Sequence, residues 1–277
     1  MIEINKNNSY INIFDNINEV NQYITTRHHK DGRDNSSQWK GDRDWYGTNS
    51  FEEATDKLIH GDEDLYNCIN DEIKKLNLDK MLGNVSNKLK YERRIYGCIP
   101  NVPAYLTNNP LNMINPEKTE ISHKVLNIFL NIRVGGGTDG EKVVKIGSKY
   151  LAVIDLLEKA GYRCNLYSGV ANETYGNKCL LMVKVKTDRE PFNLKKICFA
   201  IANPAMQRRI KFRWMEVNDG IDFTNDGYGN TCDSDDIKKM LELTRQDYIV
   251  WNYERNNSTF KVEDIIEELE KQGIKIG

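Results

Sequence analysis

VLNIFLNIRVGGGTDGEK, residues 125–142, passes from an unbroken apolar run through three consecutive glycines into charged residues. An apolar run from Val125 to Ile132 that stops at glycines predicts a fully buried strand. After it, Glu141 to Ala160 places apolar side chains at helical spacing and ends at Gly161, which predicts a long helix. Tyr162 to Val170 then predicts a return strand. Strand, glycine turn, helix and strand form the unit from which α/β sheets are built.

The alternation continues toward the C-terminus. Leu180 to Val185 predicts a strand, and Asn193 to Ile201 and Pro204 to Arg209 predict helical pieces broken near Asn203-Pro204. A strand is expected at Phe212 to Val217. Asp233 to Arg245, Tyr248 to Asn252 and Val262 to Gln272 read as helix, strand and helix. Residues 120–277 are therefore expected to form a three-layer α/β domain, with a mixed or mostly parallel sheet and helices on both faces.

Residues 1–119 read as a smaller, mixed α+β region. It has a strand candidate at Tyr10 to Phe14, a helix at Asn16 to Thr25 and a polar loop at 28–49. Ser50 and Glu53 have capping-box spacing, so a helix is expected to run to about His60, with a second at Asp64 to Leu76. Lys88 to Gly97 looks extended, and the proline-bearing IPNVPAYLTNNPLNM (99–113) is expected to wrap the surface irregularly.

The glycine turn admits several readings. Gly135, Gly137 and Gly140 fit GxGxxG between a strand and a helix, where backbone amides and the helix dipole can hold a pyrophosphate. The acidic residue expected about 20 residues on is missing, since the next strand reaches Glu173. A phosphate loop of the Walker type needs Lys and Ser/Thr after Gly140, but Glu141 and Lys142 stand there. Val125 to Val185 also resembles a von Willebrand A-type domain, whose metal-binding members carry DxSxS in this loop. Asn131, Arg133 and Gly135 occupy those places, so no metal is expected. Thr138 and Asp139 could offer oxygens, although an Asp here also suits a helix N-cap. Gly135, Gly136, Gly137, Thr138, Asp139 and Gly140 remain the candidate binding loop for a ligand or partner.

A second candidate is ANPAMQRRIKFRW (202–214), where Arg208, Arg209, Lys211 and Arg213 interleave with Phe212 and Trp214. Basic and aromatic side chains together grip phosphates and stack on bases. In a strand they would instead divide between two faces, as in a half-buried edge. Lys88, Lys90, Arg93 and Arg94 beside Tyr91 and Tyr96 make a weaker version of the pattern. Asp233, Asp235 and Asp236 are read as the acidic start of a helix. His28, His29, His60 and His123 lack metal-ligand spacing, and the six cysteines form no CxxC pair, so reduced structural thiols are expected.

With 39 basic against 41 acidic residues the net charge is −2, which gives no whole-molecule attraction to nucleic acid or acidic membranes. No apolar stretch approaches a membrane span, and MIEINKNNSY lacks the features of a signal peptide.

Four stretches in order, WYGTNSFEEATDKLIHGD (45–62), IPNVPAYLTNNPLNM (99–113), LAVIDLLEKAGYRCNLY (151–167) and FAIANPAMQRRIKFRWME (199–216), resemble an uncharacterised protein family of tailed bacteriophages and prophages. The resemblance implies a phage-encoded protein in the cytoplasm of an infected bacterium or in the virion. It brings no activity. The expected function is that of an accessory or assembly protein that binds a phage or host protein, without catalysis and with no cofactor. The alternatives are a nucleic-acid-binding or processing protein using 208–214, and a nucleotide-binding enzyme at 135–140.

Overall fold

The computed structural model describes residues 1–30, 32–76, 78–81, 91–116, 124–174, 176–221, 228–253 and 261–276. The chain begins with a hairpin of β1 (Ile2–Lys6) and β2 (Ser9–Phe14). Its turn residues Asn7 and Asn8 have φ of 54° and 55°, the left-handed geometry that two-residue hairpins need. Helix α1 (Ile17–Thr26) follows, and its N-cap Asn16 accepts the Glu19 amide at 2.9 Å. Next come α2 (Arg43–Tyr46), α3 (Phe51–His60) and α4 (Glu63–Leu76). Ser50 caps α3 as expected. Glu53, however, accepts the amide of Asn49 and not that of Ser50, so the box closes one residue early.

Strands β3 (Tyr91–Arg94), β4 (Ile99–Pro100) and β5 (Met113–Pro116) make a small antiparallel sheet in the order β3-β5-β4, with α5 (Val102–Leu106) between β4 and β5. The 99–113 segment is thus exposed as expected, but part of it is regular. The expected extended segment from Lys88 is present from Tyr91. Lys88, Lys90 and His123 lie outside the described residues, as does the 119/120 boundary.

The remaining elements are β6 (Val125–Asn131), α6 (Gly140–Lys159), β7 (Arg163–Thr174), β8 (Asn177–Lys186), α7 (Leu194–Ala202), a π-helical segment at Met206–Lys211, α8 (Phe212–Val217), β9 (Asn230–Thr231), α9 (Ser234–Glu242), β10 (Ile249–Asn252) and α10 (Val262–Lys271). The main sheet runs β1-β2-β8-β7-β6-β10, with β9 also paired to β7. Pairs β2/β8, β7/β6 and β6/β10 are parallel, whereas β1/β2, β8/β7 and β7/β9 are antiparallel. This is the expected mixed sheet, and β2 brings the N-terminal region into it.

Side-chain alternation builds two cores. Tyr10, Phe14, Ile128, Leu130, Leu181 and Val183 face a thick layer that includes α1, α3, α4, α6, α7, α8 and α10. Ile11, Ile13, Phe129, Leu180 and Met182 face Ile237, Met240 and Leu241 of α9. Because both faces are covered, the strands read as continuous apolar runs. Asp233 caps α9 through the Asp236 amide at 2.7 Å. Among the described residues no helix is long and apolar enough to cross a membrane.

One expected strand is wrong. Phe212–Val217 is helical, and it continues the π segment without a break.

Candidate functional site

The main sheet opens where β6 ends. The Ile132 amide still bonds the Gly169 carbonyl at 2.9 Å, and Asn131 Oδ1 accepts the Ala171 amide at 3.1 Å. Beyond this point the chain leaves the sheet, and β9 takes up the edge of β7 at Asn172 and Glu173. The exiting chain is held by the Gln207 side chain, which accepts the Val134 amide at 3.1 Å and donates to its carbonyl at 2.9 Å. A cleft of about 510 Å³ lies at this carboxyl end, the position where open α/β sheets bind ligands.

Its walls come from four parts of the chain. Gly136 and Arg133 belong to the glycine turn, Arg208 and Phe212 to the π segment and α8, and Tyr228 and Gly229 to the approach to β9. The fourth wall, with Asp34, Trp39, Lys40, Asp42, Trp45 and Tyr46, is the polar loop 28–49. The sequence reads this stretch as a polar loop, and in the structure Ser36, Ser37, Tyr46 and Thr48 are buried in it.

The reason is the chemistry of the π segment. Arg208, Arg209 and Lys211 are almost completely buried, and a buried cation needs its donors satisfied. Arg209 donates to Thr48 Oγ1, the Thr48 carbonyl and the Ser37 carbonyl, each at 2.9 Å, and to the Trp39 carbonyl at 2.7 Å. Its guanidinium also lies 4.2 Å over the Tyr46 ring. Arg208 donates to the Trp45 and Thr138 carbonyls and lies 4.3 Å over the Trp45 ring. Lys211 donates to the Tyr228 carbonyl at 3.1 Å. Carbonyl oxygens of loops and of helix C-terminal ends, such as that of Trp45 in α2, can meet such donors, whereas those inside helices and strands have already been used.

No carboxylate of the described residues lies within ion-pair distance of Arg208, Arg209 or Lys211. Burial first, and the nearby Arg133 charge second, push the Arg208 guanidinium down to about 10. The same two causes hold the Lys211 amine well below the usual lysine value. The buried carboxylate in this region, Glu216, accepts the Ser37 amide at 3.0 Å and the Tyr228 hydroxyl at 2.6 Å, and pairs with Arg213 at 3.5 Å. Trp214 is buried, and its indole N–H donates to Asn12 Oδ1 at 2.8 Å.

The nucleic-acid reading of 208–214 needed an exposed basic and aromatic face. Arg208, Arg209, Lys211 and Trp214 are buried on a helical segment, and Arg213 is tied to the Ile24 and Arg27 carbonyls. That face is not formed.

The glycine loop is built differently along its length. Gly140 is sterically required, because a Cβ there would meet the Asp44 carbonyl oxygen at 2.2 Å. Gly135, Gly136 and Gly137 are open: a Cβ would meet nothing within 4 Å, and none has a left-handed φ. The Gly136 carbonyl accepts the Trp45 indole N–H at 2.7 Å, and the Thr138 amide closes a turn on Gly135 at 3.1 Å. Asp139 occupies the N-cap of α6, but its side chain makes no capping bond.

Sequence reasoning found the loop and Arg208 but missed Trp39, Trp45, Tyr46, Arg133 and Tyr228. Two of the four tryptophans in a polar loop were the available signal, since a solvated connection has no use for them. A second cavity of about 330 Å³ lies against α6, lined by Glu72, Leu76, Lys142, Lys145 and Ile146 among others, with no aromatic ring among the described residues. Among the described residues no three His, Cys, Asp or Glu side chains are gathered to hold a metal. The cysteines are free thiols, of which Cys164, Cys179, Cys198 and Cys232 are buried.

No curated protein and no solved structure matches the chain. A family model described as Domain of unknown function (DUF7192) matches residues 2–276, and the chain therefore belongs to that family along both its N-terminal and its α/β sections.

Proposed function

We propose that the chain is a phage-encoded accessory or assembly protein that works by binding a phage or host protein, without catalysis. The observation that carries this reading is the apolar arm formed by the small sheet and α5. Ile95, Tyr96, Ile99, Val102, Tyr105 and Leu106 are all exposed there, with Leu106 at 76%. Large apolar side chains gathered in one exposed segment mark interaction surfaces, whereas scattered single ones do not. The aromatic pair Tyr96 and Tyr105 suits such a surface, because tyrosine buries a large area with few rotamers to fix.

The phage setting, in an infected cytoplasm or a virion, rests on the four-segment resemblance. Two of those segments, 45–62 and 199–216, supply Trp45 and Arg208 to the same cleft. The von Willebrand A-like reading of 120–277 belongs to the same proposal. Its support is the succession of β6, the long α6 and β7, with β7 parallel to β6.

The test is affinity capture from infected bacteria with the wild-type chain and with a Tyr105→Asp, Leu106→Asp variant. One phage or host protein retained by the wild type and lost by the variant, at unchanged thermal stability, is the expected result. Equal retention by both would sink the arm as the binding surface.

A further inference from the structure

The apolar arm has a composition that solvent does not explain. From Ile95 to Pro116 there are 22 residues without an Asp, Glu, Lys or Arg, the longest such run in a chain that is 29% charged. The next longest, Ile197 to Gln207, is buried throughout. The arm's run is exposed. Among the described side chains of 92–115, Ala104 alone is buried, whereas more than half of each of Ile95, Tyr96, Val102, Tyr105 and Leu106 faces solvent.

A three-stranded sheet is stable when it buries an apolar face, and this one, with α5, buries a single alanine. Units below about 40 residues otherwise depend on a disulfide, a metal or association. Cys98 is a free thiol, and no group of metal-holding side chains is gathered among the described residues. Association is left, and the associating molecule has to be present whenever the arm folds.

Charge and area select that molecule. Glu92, Arg93 and Arg94 stand at the base of the arm, where Glu92 pairs with Arg94, and beyond them the surface carries neither sign. It therefore has nothing with which to choose a charged partner and nothing that repels its own copy. The net charge of −2 sets up little repulsion between whole chains. Interface cores this apolar and poor in charge are typical of homodimers, whereas interfaces with transient partners are about as polar as the rest of the surface. The exposed apolar side chains of one arm present on the order of 800 Å², one partner's share of a stable interface. A second copy brings the same area, and it is at hand wherever the chain is made.

We infer, on the reading of the arm as the binding surface, that its partner is a second copy of this chain, the two arms packing across a two-fold axis so that Tyr96, Val102, Tyr105 and Leu106 of each cover the other. A two-fold contact uses the same patch on both copies, so it closes at a dimer and does not extend.

The purified full chain is sedimented at about 10 and about 100 µM, above the weak end of the affinities found for interfaces of this area. Twice 32.1 kDa is expected for the wild type, and 32.1 kDa for the Tyr105→Asp, Leu106→Asp variant. Thiol labelling gives a second readout that needs no variant. Cys98 on the arm and Cys68 on α4 are both exposed in the single chain. When the wild type is diluted from above to below the dimer Kd, maleimide labelling of Cys98 is expected to speed up about tenfold, following the free monomer by mass action, with Cys68 unchanged. Four results would overturn the second copy as partner. These are a wild-type monomer at about 100 µM, a dimer equally tight in the variant, Cys98 labelling that does not change with concentration, or a monomer that sediments instead with phosphatidylcholine vesicles. A monomer whose arm still captures a different phage or host protein would remove the second copy and leave the arm as a binding surface. A monomer that captures nothing through Tyr105 and Leu106 would remove both.

Discussion

Arg209 holds Thr48 twice, through Nε to the hydroxyl and through one terminal nitrogen to the carbonyl, both at 2.9 Å. The two residues are 161 positions apart, and both are fully buried. Thr48→Val keeps the shape and removes the hydroxyl acceptor, leaving a buried guanidinium N–H unmet. Loss of about 1–3 kcal/mol of stability is expected, with most of it recovered in Thr48→Ser. Denaturant unfolding of the three proteins checks this. Equal stability of the valine variant would show that the hydroxyl is dispensable.

The glycines of one helix and its leading loop should respond oppositely to alanine. At Gly147 a Cβ would meet the Ala202 Cβ at 2.5 Å and its Cα at 2.6 Å, so α6 and α7 must separate. Gly147→Ala is expected to destabilise by about 1–3 kcal/mol, despite its better helix propensity. Gly137→Ala, with nothing within 4 Å, is expected to stay within about 0.5 kcal/mol of wild type. Melting temperatures that failed to separate the two variants would contradict the packing described for α6.

Lys211 makes stability depend on pH in a defined direction. Its folded value lies well below the ordinary lysine value of 10.5, so between the two the unfolded chain binds more protons and stability rises with pH. Lys211→Met removes the buried amine. The variant's gain over wild type should be greatest at the lower pH values and shrink as pH approaches 10.5. A gain that is flat with pH would mean the amine stays charged in the fold.

Tyr228 donates to Glu216 at 2.6 Å and accepts the Ser36 amide at 3.1 Å. Tyr228→Phe takes one of the donors from a buried carboxylate, and a loss of about 1.5–3 kcal/mol is expected for a hydrogen bond to a charged group. If the partnership is as described, Glu216→Gln should reduce that loss, since the charge that needs the donor is gone. A double-mutant cycle reads the coupling directly.

The sheet was legible where a strand is buried on both faces or a helix is long. β6, α6, β7, β8 and α9 all lie close to where apolar runs and caps predict them. β1 was missed because it is a five-residue edge strand with a mostly exposed pattern, and its apolar alternation is limited to Ile2 and Ile4. Phe212–Val217 was misread because basic and aromatic residues alternate with period two from Lys211 to Trp214, the strand signature. Nothing local reports that the cations point inward. Arg209 and Arg208 reach the carbonyls of Ser37, Trp39, Trp45 and Thr48, more than 160 residues away in sequence, while the Thr138 and Tyr228 carbonyls that serve Arg208 and Lys211 come from other segments again. Likewise, half of the cleft was invisible because the polarity of residues 28–49 suits a buried loop around arginines as well as it suits a solvated one.

The π segment Met206–Lys211 amounts to one surplus residue within an otherwise ordinary helix. Removing one residue there would relax the turn to the more stable α form. It would also rotate everything on one side of the deletion by about 100° relative to the other. Arg208 and Arg209 could then not stay under the polar loop while Trp214 stayed on Asn12. The extra residue therefore acts as a phase lock: it sets the angular offset between the cleft and the core, and a shortened helix could be stronger in isolation yet unable to close this fold.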